Sequence, residues 1–178
     1  MGTMQRRFLG WLGLMAGSVA AGLALHVALR WPSIPGLLRA LGLLGMLLGL
    51  ALLRRSGRLL RLLGQPREEW GITTRLVVND LYACLRHPHH LGIGLFVSSL
   101  FLAVGLWELF LVVSIALWTG ILLFLRRVEE PELLAKFGDA YRRYRQRVPM
   151  LLGSPGCVLR TLLRPLPEAA DLTSQKET

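Results

Sequence analysis

Two short stretches hold the ionisable groups best placed for chemistry: Arg86-His87-Pro88-His89-His90-Leu91-Gly92 and Glu129-Glu130-Pro131-Glu132-Leu133-Leu134. The first ends a polar stretch just before an apolar run. The second opens a polar stretch just after the next apolar run. Clusters that flank one apolar hairpin can meet at a single membrane face, where ionisable groups are costly to desolvate and are kept for a task. The histidines are potential metal ligands. Pro88 breaks their helical spacing and no acidic residue lies nearby in sequence, so ligand spacing argues against a metal. Two plainer readings fit the same residues. The Arg/His cluster can be a topology signal at a membrane edge. The glutamates can be the favourable N-terminal charges of a helix that opens at Pro131. Local physics leaves these alternatives open.

The elements that must position both clusters are apolar. Of 178 residues, 53% are hydrophobic, and the mean hydropathy is +0.48. Such a chain sits in the membrane class. Four runs stand out: Phe8 to Leu29, Ile34 to Leu53, Leu91 to Leu106, and Leu109 to Leu125. At about 1.5 Å per helical residue each is near the length that crosses ~30 Å of hydrocarbon, the last two being short. Only Trp107-Glu108 joins the last two, so they form a tight helical hairpin. Unpaired backbone in lipid costs several kcal/mol per group, which leaves helices for all four. The expected fold is an all-α integral membrane protein with about four transmembrane helices plus interfacial amphipathic helices.

The net charge of +10 comes from arginines at the ends of apolar runs, which reads as topology and against nucleic acid. Arg6, Arg7, the set from Arg54 to Arg86, and Arg126, Arg127 and their successors lie on one side; Arg30, Arg39 and Glu108 lie on the other. The positive-inside rule places both termini and both clusters in the cytosol. The membrane would be a bacterial inner membrane, or the endoplasmic reticulum or nuclear envelope of a eukaryote. Gln5-Arg6-Arg7-Phe8-Leu9 resembles a twin-arginine export signal, but the long run and later spans favour a retained first helix. Cys84 and Cys157 make no framework, and Cys84 is expected to be a reduced cytosolic thiol.

Further elements follow from pattern. Arg54 to Val78 reads as a head-group helix that turns at Gly64-Gln65-Pro66. Leu134, Phe137, Tyr141, Tyr144 and Val148 form one helical stripe, read as a packing or interfacial face. Gly42, Gly45 and Gly49 let helices approach closely, and His26 packs between helices. The chain divides into an N-terminal hairpin with its interfacial helix (1–73), a core (74–152) and a tail (153–178) rich in proline and expected to be mobile.

The order of elements in Thr74 to Pro149 resembles the isoprenylcysteine carboxyl methyltransferase and phospholipid methyltransferase superfamily. Asn79-Asp80-Leu81-Tyr82-Ala83-Cys84-Leu85-Arg86-His87-Pro88-His89-His90-Leu91-Gly92 matches a G-x-Y…R-H-P-x-Y-x-G element. After the hairpin, Glu129 to Pro149 matches E-E-x-x-L…F-G-x-x-Y-x-x-Y…V-P. Two positions depart: Asp80 stands for the glycine and His90 for the tyrosine.

The resemblance implies S-adenosyl-L-methionine held at the cytosolic membrane face. Leu76, Val77, Tyr82, Arg86, His87, Pro88 and His90 would contact it, with Glu129 and Glu130 as acids beside it. His87, Glu130 and Arg127 (or Arg126) would serve catalysis or face the acceptor. The acceptor would be lipophilic: a prenylated cysteine, a lipid amine or a small hydrophobic molecule reaching the site from membrane lipid. Rival readings are a non-catalytic, nurim-like protein on the same fold, and an NADPH-dependent reductase relative. Against the reductase, no GxGxxG fingerprint is present.

Overall fold

The computed structural model describes residues 3–29, 34–64 and 73–165. The chain is an all-α membrane protein: α1 (Thr3–Leu29), α2 (Gly36–Leu63), α3 (Leu81–Cys84), α4 (Pro88–Val104), α5 (Trp107–Phe124), a π turn (Leu125–Glu129), α6 (Glu130–Arg147) and α7 (Pro155–Leu163). Three helical stretches are long and apolar enough to cross a membrane: Gln5–Leu29, Gly36–Leu63 and the continuous run Trp107–Arg147. Pro88–Val104 is apolar but shorter. Arg30, Arg67, the turn residues Gln65 and Pro66, and the tail beyond Pro165 lie outside the described residues.

Three expectations about the helical elements need correction. The segment after Arg54 is no separate surface helix but the continuation of α2 to Leu63. Gly57 does not end it, because Leu52, Arg55, Ser56 and Leu59 prolong one buried stripe. Its 28 residues make a rod of about 42 Å, longer than the ~30 Å of hydrocarbon. The stripe from Leu134 to Val148 is not one straight helix, because Gly138 breaks it at φ 53°, ψ −128°, a conformation open to glycine and poorly to other residues. The start of the tail is ordered as α7, with Pro155 in its first turn, where a missing N–H costs nothing.

The chain forms two compact units. The first comprises Met1–Gly49 and Ile93–Glu130. Here α1 runs antiparallel to α5: Trp11 meets Phe124 edge-on at 5.9 Å, Gly22 faces Leu109, and His26 Nδ1 lies 3.1 Å from Glu108 Oε2. The α5 residues Leu109, Val113, Leu117, Ile121 and then Leu125, four apart, form its buried stripe. Gly42 is needed for close approach, since a Cβ there would sit 2.5 Å from the Ala103 nitrogen of α4. Gly45 likewise faces Ser99. Large apolar side chains of α1 and α2, such as Val27, Leu37 and Leu44, point outward, as a bilayer solvent allows.

The second unit comprises Leu50–Gly92 and Pro131–Thr178. Leu52, Leu59, Leu81, Tyr82, Leu85, Tyr141, Tyr144 and Leu151 form its core. Cys84 and Cys157 are joined in a disulfide, with Cα atoms 5.8 Å apart. This overturns the expected reduced thiol: α3 and α7 bring two residues 73 positions apart within bonding reach. Sequence spacing alone carries no such information.

Candidate functional site

The second unit builds the Arg-His-Pro element from a sharp elbow. Asp80 takes φ 60°, ψ −125°, and its carboxylate accepts from the Leu81 nitrogen at 2.7 Å to cap α3. The four-residue turn Leu81–Cys84 follows, and Leu85 returns to extended backbone. Pro88 then opens α4 with a preset φ. This positive φ, at a ψ outside the left-handed helical region, suits a glycine; Asp80 is held in it by its bonds to the Leu81 nitrogen and the Arg55 guanidinium.

Backbone bonds clamp the element to the segment that follows α6. The Arg86 nitrogen donates to the Pro149 carbonyl at 2.9 Å, and the His87 nitrogen to the Met150 carbonyl at 3.1 Å. The Tyr144 hydroxyl donates to the Tyr82 carbonyl at 2.6 Å. Gly153 lies against the Cys84 carbonyl with no room for a Cβ. The two sequence elements, R-H-P and Y-x-x-Y…V-P, are therefore joined by main-chain bonds and the Tyr144 hydroxyl, which together fix the elbow.

Those side chains gather at the first turn of α4. His87 and Pro88 are buried; Arg86, His89 and His90 are half-buried. The His87 and His90 rings stand edge-on at 5.9 Å, and His89 and His90 at 6.5 Å. His89 is steadied by Ser56, whose Oγ lies 3.2 Å from its Nδ1. A guanidinium and imidazoles at a helix N-terminus favour a carboxylate or another anion. Val77 is buried and Leu76 half-buried in the extended stretch before Asp80, and Tyr82 is buried in α3. The structure thus gathers Leu76, Val77, Tyr82, Arg86, His87, Pro88 and His90 in one unit.

Glu129 and Glu130 belong to the other unit. Glu129 closes the π turn and is half-buried; Glu130 opens α6 and is buried. Arg126 and Arg127 lie within the π turn and are exposed. A π turn inside a helix frequently marks a functional position. No Gly or Pro in Leu125-Arg126-Arg127-Val128-Glu129 signals it in the sequence.

Sequence reasoning missed Arg55, counted there only as a topology charge. Its Nε and Nη2 donate to both Asp80 oxygens at 2.7 Å each. Its remaining donors reach the carbonyls of Arg164 at 2.7 Å and Pro165 at 3.2 Å. The signal that could have found it is the α2 stripe, which puts Arg55 on the buried face with Leu52 and Leu59.

Two known proteins match part of the chain. A protein-S-isoprenylcysteine O-methyltransferase of Schizosaccharomyces pombe is 34% identical over 76 residues, 42% of this chain and 31% of that protein. A methanethiol S-methyltransferase of Mycobacterium tuberculosis is 38% identical over 92 residues, 52% of this chain and 34% of that protein. The matched stretch thus spans about a third of the length of each relative. No protein-family model matches the chain. No solved structure matches it.

Proposed function

We propose that this chain is a membrane methyltransferase that moves a methyl group from S-adenosylmethionine to a lipophilic acceptor. The supporting observation is the main-chain clamp between the R-H-P element and the Pro149-Met150 segment, together with similarity to two methyltransferases. The residues fit the group. Arg86 and His87 at the start of α4 suit its carboxylate, the Tyr82 ring suits a cation, and Glu129 and Glu130 suit its ammonium. Bound there, S-adenosylmethionine supplies a methyl carbon already activated by a sulfonium.

The chain's own task is then mostly orientation. Holding an acceptor in line with the methyl carbon can supply much of the rate. A carboxylate or thiolate acceptor needs no base; an amine or alcohol does, and His87 or Glu130 holds that proton. Arg127, exposed in the π turn, meets the polar end of the acceptor, whose apolar tail stays in lipid. A prenylated cysteine carboxylate and a small thiol are the two acceptors that the named relatives suggest.

Calorimetry on the full chain in nanodiscs tests the cofactor, with His87→Ala and Glu130→Ala expected to weaken binding at least about tenfold, the loss of one charge-assisted contact. A wild-type chain that binds no S-adenosylmethionine in any lipid composition ends the proposal. Labelled methyl donor with a lipid extract then reports the acceptor.

A further inference from the structure

We infer that the groove between α1 and α5 is a binding site for an anionic phospholipid of the surrounding bilayer, with a stretch of one acyl chain in the groove and the phosphate at its arginine rim. All the residues involved belong to the first unit, and the inference does not depend on methyl transfer.

The groove has a volume of about 190 Å³ and is lined by Arg7, Gly10, Trp11, Leu14, Gly120 and Phe124. Its shape follows from two glycines. At Gly120 the helices touch, because a Cβ there would lie 2.7 Å from Leu14 Cδ2. One turn nearer the α1 N-terminus, Gly10 leaves nothing within 4 Å of where its Cβ would be. The helices therefore meet at Leu14 and part beside Gly10. Trp11 and Phe124, packed edge-on at 67°, wall the gap. The groove is open along its length to the surrounding hydrocarbon, and its lining apart from Arg7 is apolar.

The rim sets the headgroup. Because α1 and α5 are antiparallel, the end that carries Arg6 and Arg7 is also the end where α5 runs into Arg126 and Arg127. Arg6, Arg126 and Arg127 are exposed, while the nearby acids Glu129 and Glu130 are half-buried and buried. The surface at this end is therefore cationic. Arginine's planar fork suits a phosphate, and basic residues at this depth attract anionic lipid. Trp11 at the same level is the residue type that settles at a head-group boundary. A neutral lipid would fill the groove but bring no net charge to the exposed Arg6, Arg126 and Arg127.

Native mass spectrometry of the full chain, released from detergent with phosphatidylglycerol or phosphatidylcholine present, tests this. Wild type should retain phosphatidylglycerol roughly tenfold better, the order expected when one or two arginines meet an anionic headgroup. Gly10→Leu fills the gap with a better helix former, so the fold persists by circular dichroism while phosphatidylglycerol retention falls to the phosphatidylcholine level. Arg7→Gln should remove the preference and keep the chain bound, read as quenching of Trp11 by brominated acyl chains against a Trp11→Phe control. Equal retention of the two lipids by wild type, or unchanged phosphatidylglycerol retention in Gly10→Leu, overturns the inference.

Discussion

Each unit sets a buried or half-buried carboxylate against a basic side chain, and the two solutions differ. In the second unit Asp80 meets Arg55 through two bonds at 2.7 Å, with the side chains 17% and 4% exposed. In the first unit Glu108, 2% exposed, meets one ring nitrogen of His26, itself 41% exposed. A guanidinium stays charged and saturates both carboxylate oxygens. An imidazole offers one contact and is charged only when protonated. The Arg55 pair also spans three segments, since the same guanidinium holds the carbonyls of Arg164 and Pro165. The His26 pair joins two helices at one end. The first arrangement is a permanent fixture beneath the candidate site. The second is a helix-to-helix fastening with one foot in solvent.

Substitutions can break this contrast, beginning with the largest effect. Arg55→Leu should destabilise by about 3–5 kcal/mol, the cost of stranding one member of a buried pair, measured by denaturant titration followed by circular dichroism. Asp80→Gly strands Arg55 equally but frees the φ 60° backbone, so it should be milder than Asp80→Ala by about 1 kcal/mol. Equal losses for the two variants would show that Asp80 carries no strain.

Next comes the disulfide, which holds the same α7 segment. Cys157→Ser should cost about 2–4 kcal/mol, and more when combined with Arg55→Leu than the single losses add up to, because both act on one segment. Maleimide labelling before and after reductant reports whether the bond is present. Then His26→Leu should cost about 1–3 kcal/mol, because it leaves the buried Glu108 with one partner fewer. Glu108→Gln keeps a hydrogen-bonding group and should stay within about 1 kcal/mol of wild type. If His26→Leu proves as damaging as Arg55→Leu, the two pairs are equivalent and the contrast fails. Tyr144→Phe, which removes the hydroxyl on the Tyr82 carbonyl, should likewise cost only about 0.5–1.5 kcal/mol by the same denaturant titration.

How much of this the chain disclosed depended on the kind of signal. Hydropathy reads solvent, so the runs ending at Leu29 and Leu125 gave α1 and α5 to within a few residues. The spacing of Tyr141 and Tyr144 announced a buried face. Partners are another matter. The α2 stripe separates Arg55, buried, from Arg54, exposed, but nothing in it names Asp80 as the partner, 25 positions away. His26 and Glu108 lie 82 positions apart, and Cys84 and Cys157 lie 73 apart. Tertiary packing decides such pairs, and one sequence holds no record of it. Gly138 was readable only as part of a stripe, yet its φ of 53° redirects that stripe. Asp80 was visible as an oddity and became intelligible only once its backbone was seen.

The π turn at Leu125–Glu129 bears on how this chain should be aligned with others. A turn of this kind carries one residue more than the α-helix around it. Counting helical positions backward from Glu130 to α5 therefore slips by one, and it slips across Arg126 and Arg127. Two relatives with identical side-chain layouts at this end can differ by a single insertion, and a gapless alignment will then pair Arg126 with the position that belongs to Arg127. Deleting Val128 would return the stretch to α-helical phase and rotate Arg126 and Arg127 by one position relative to α6.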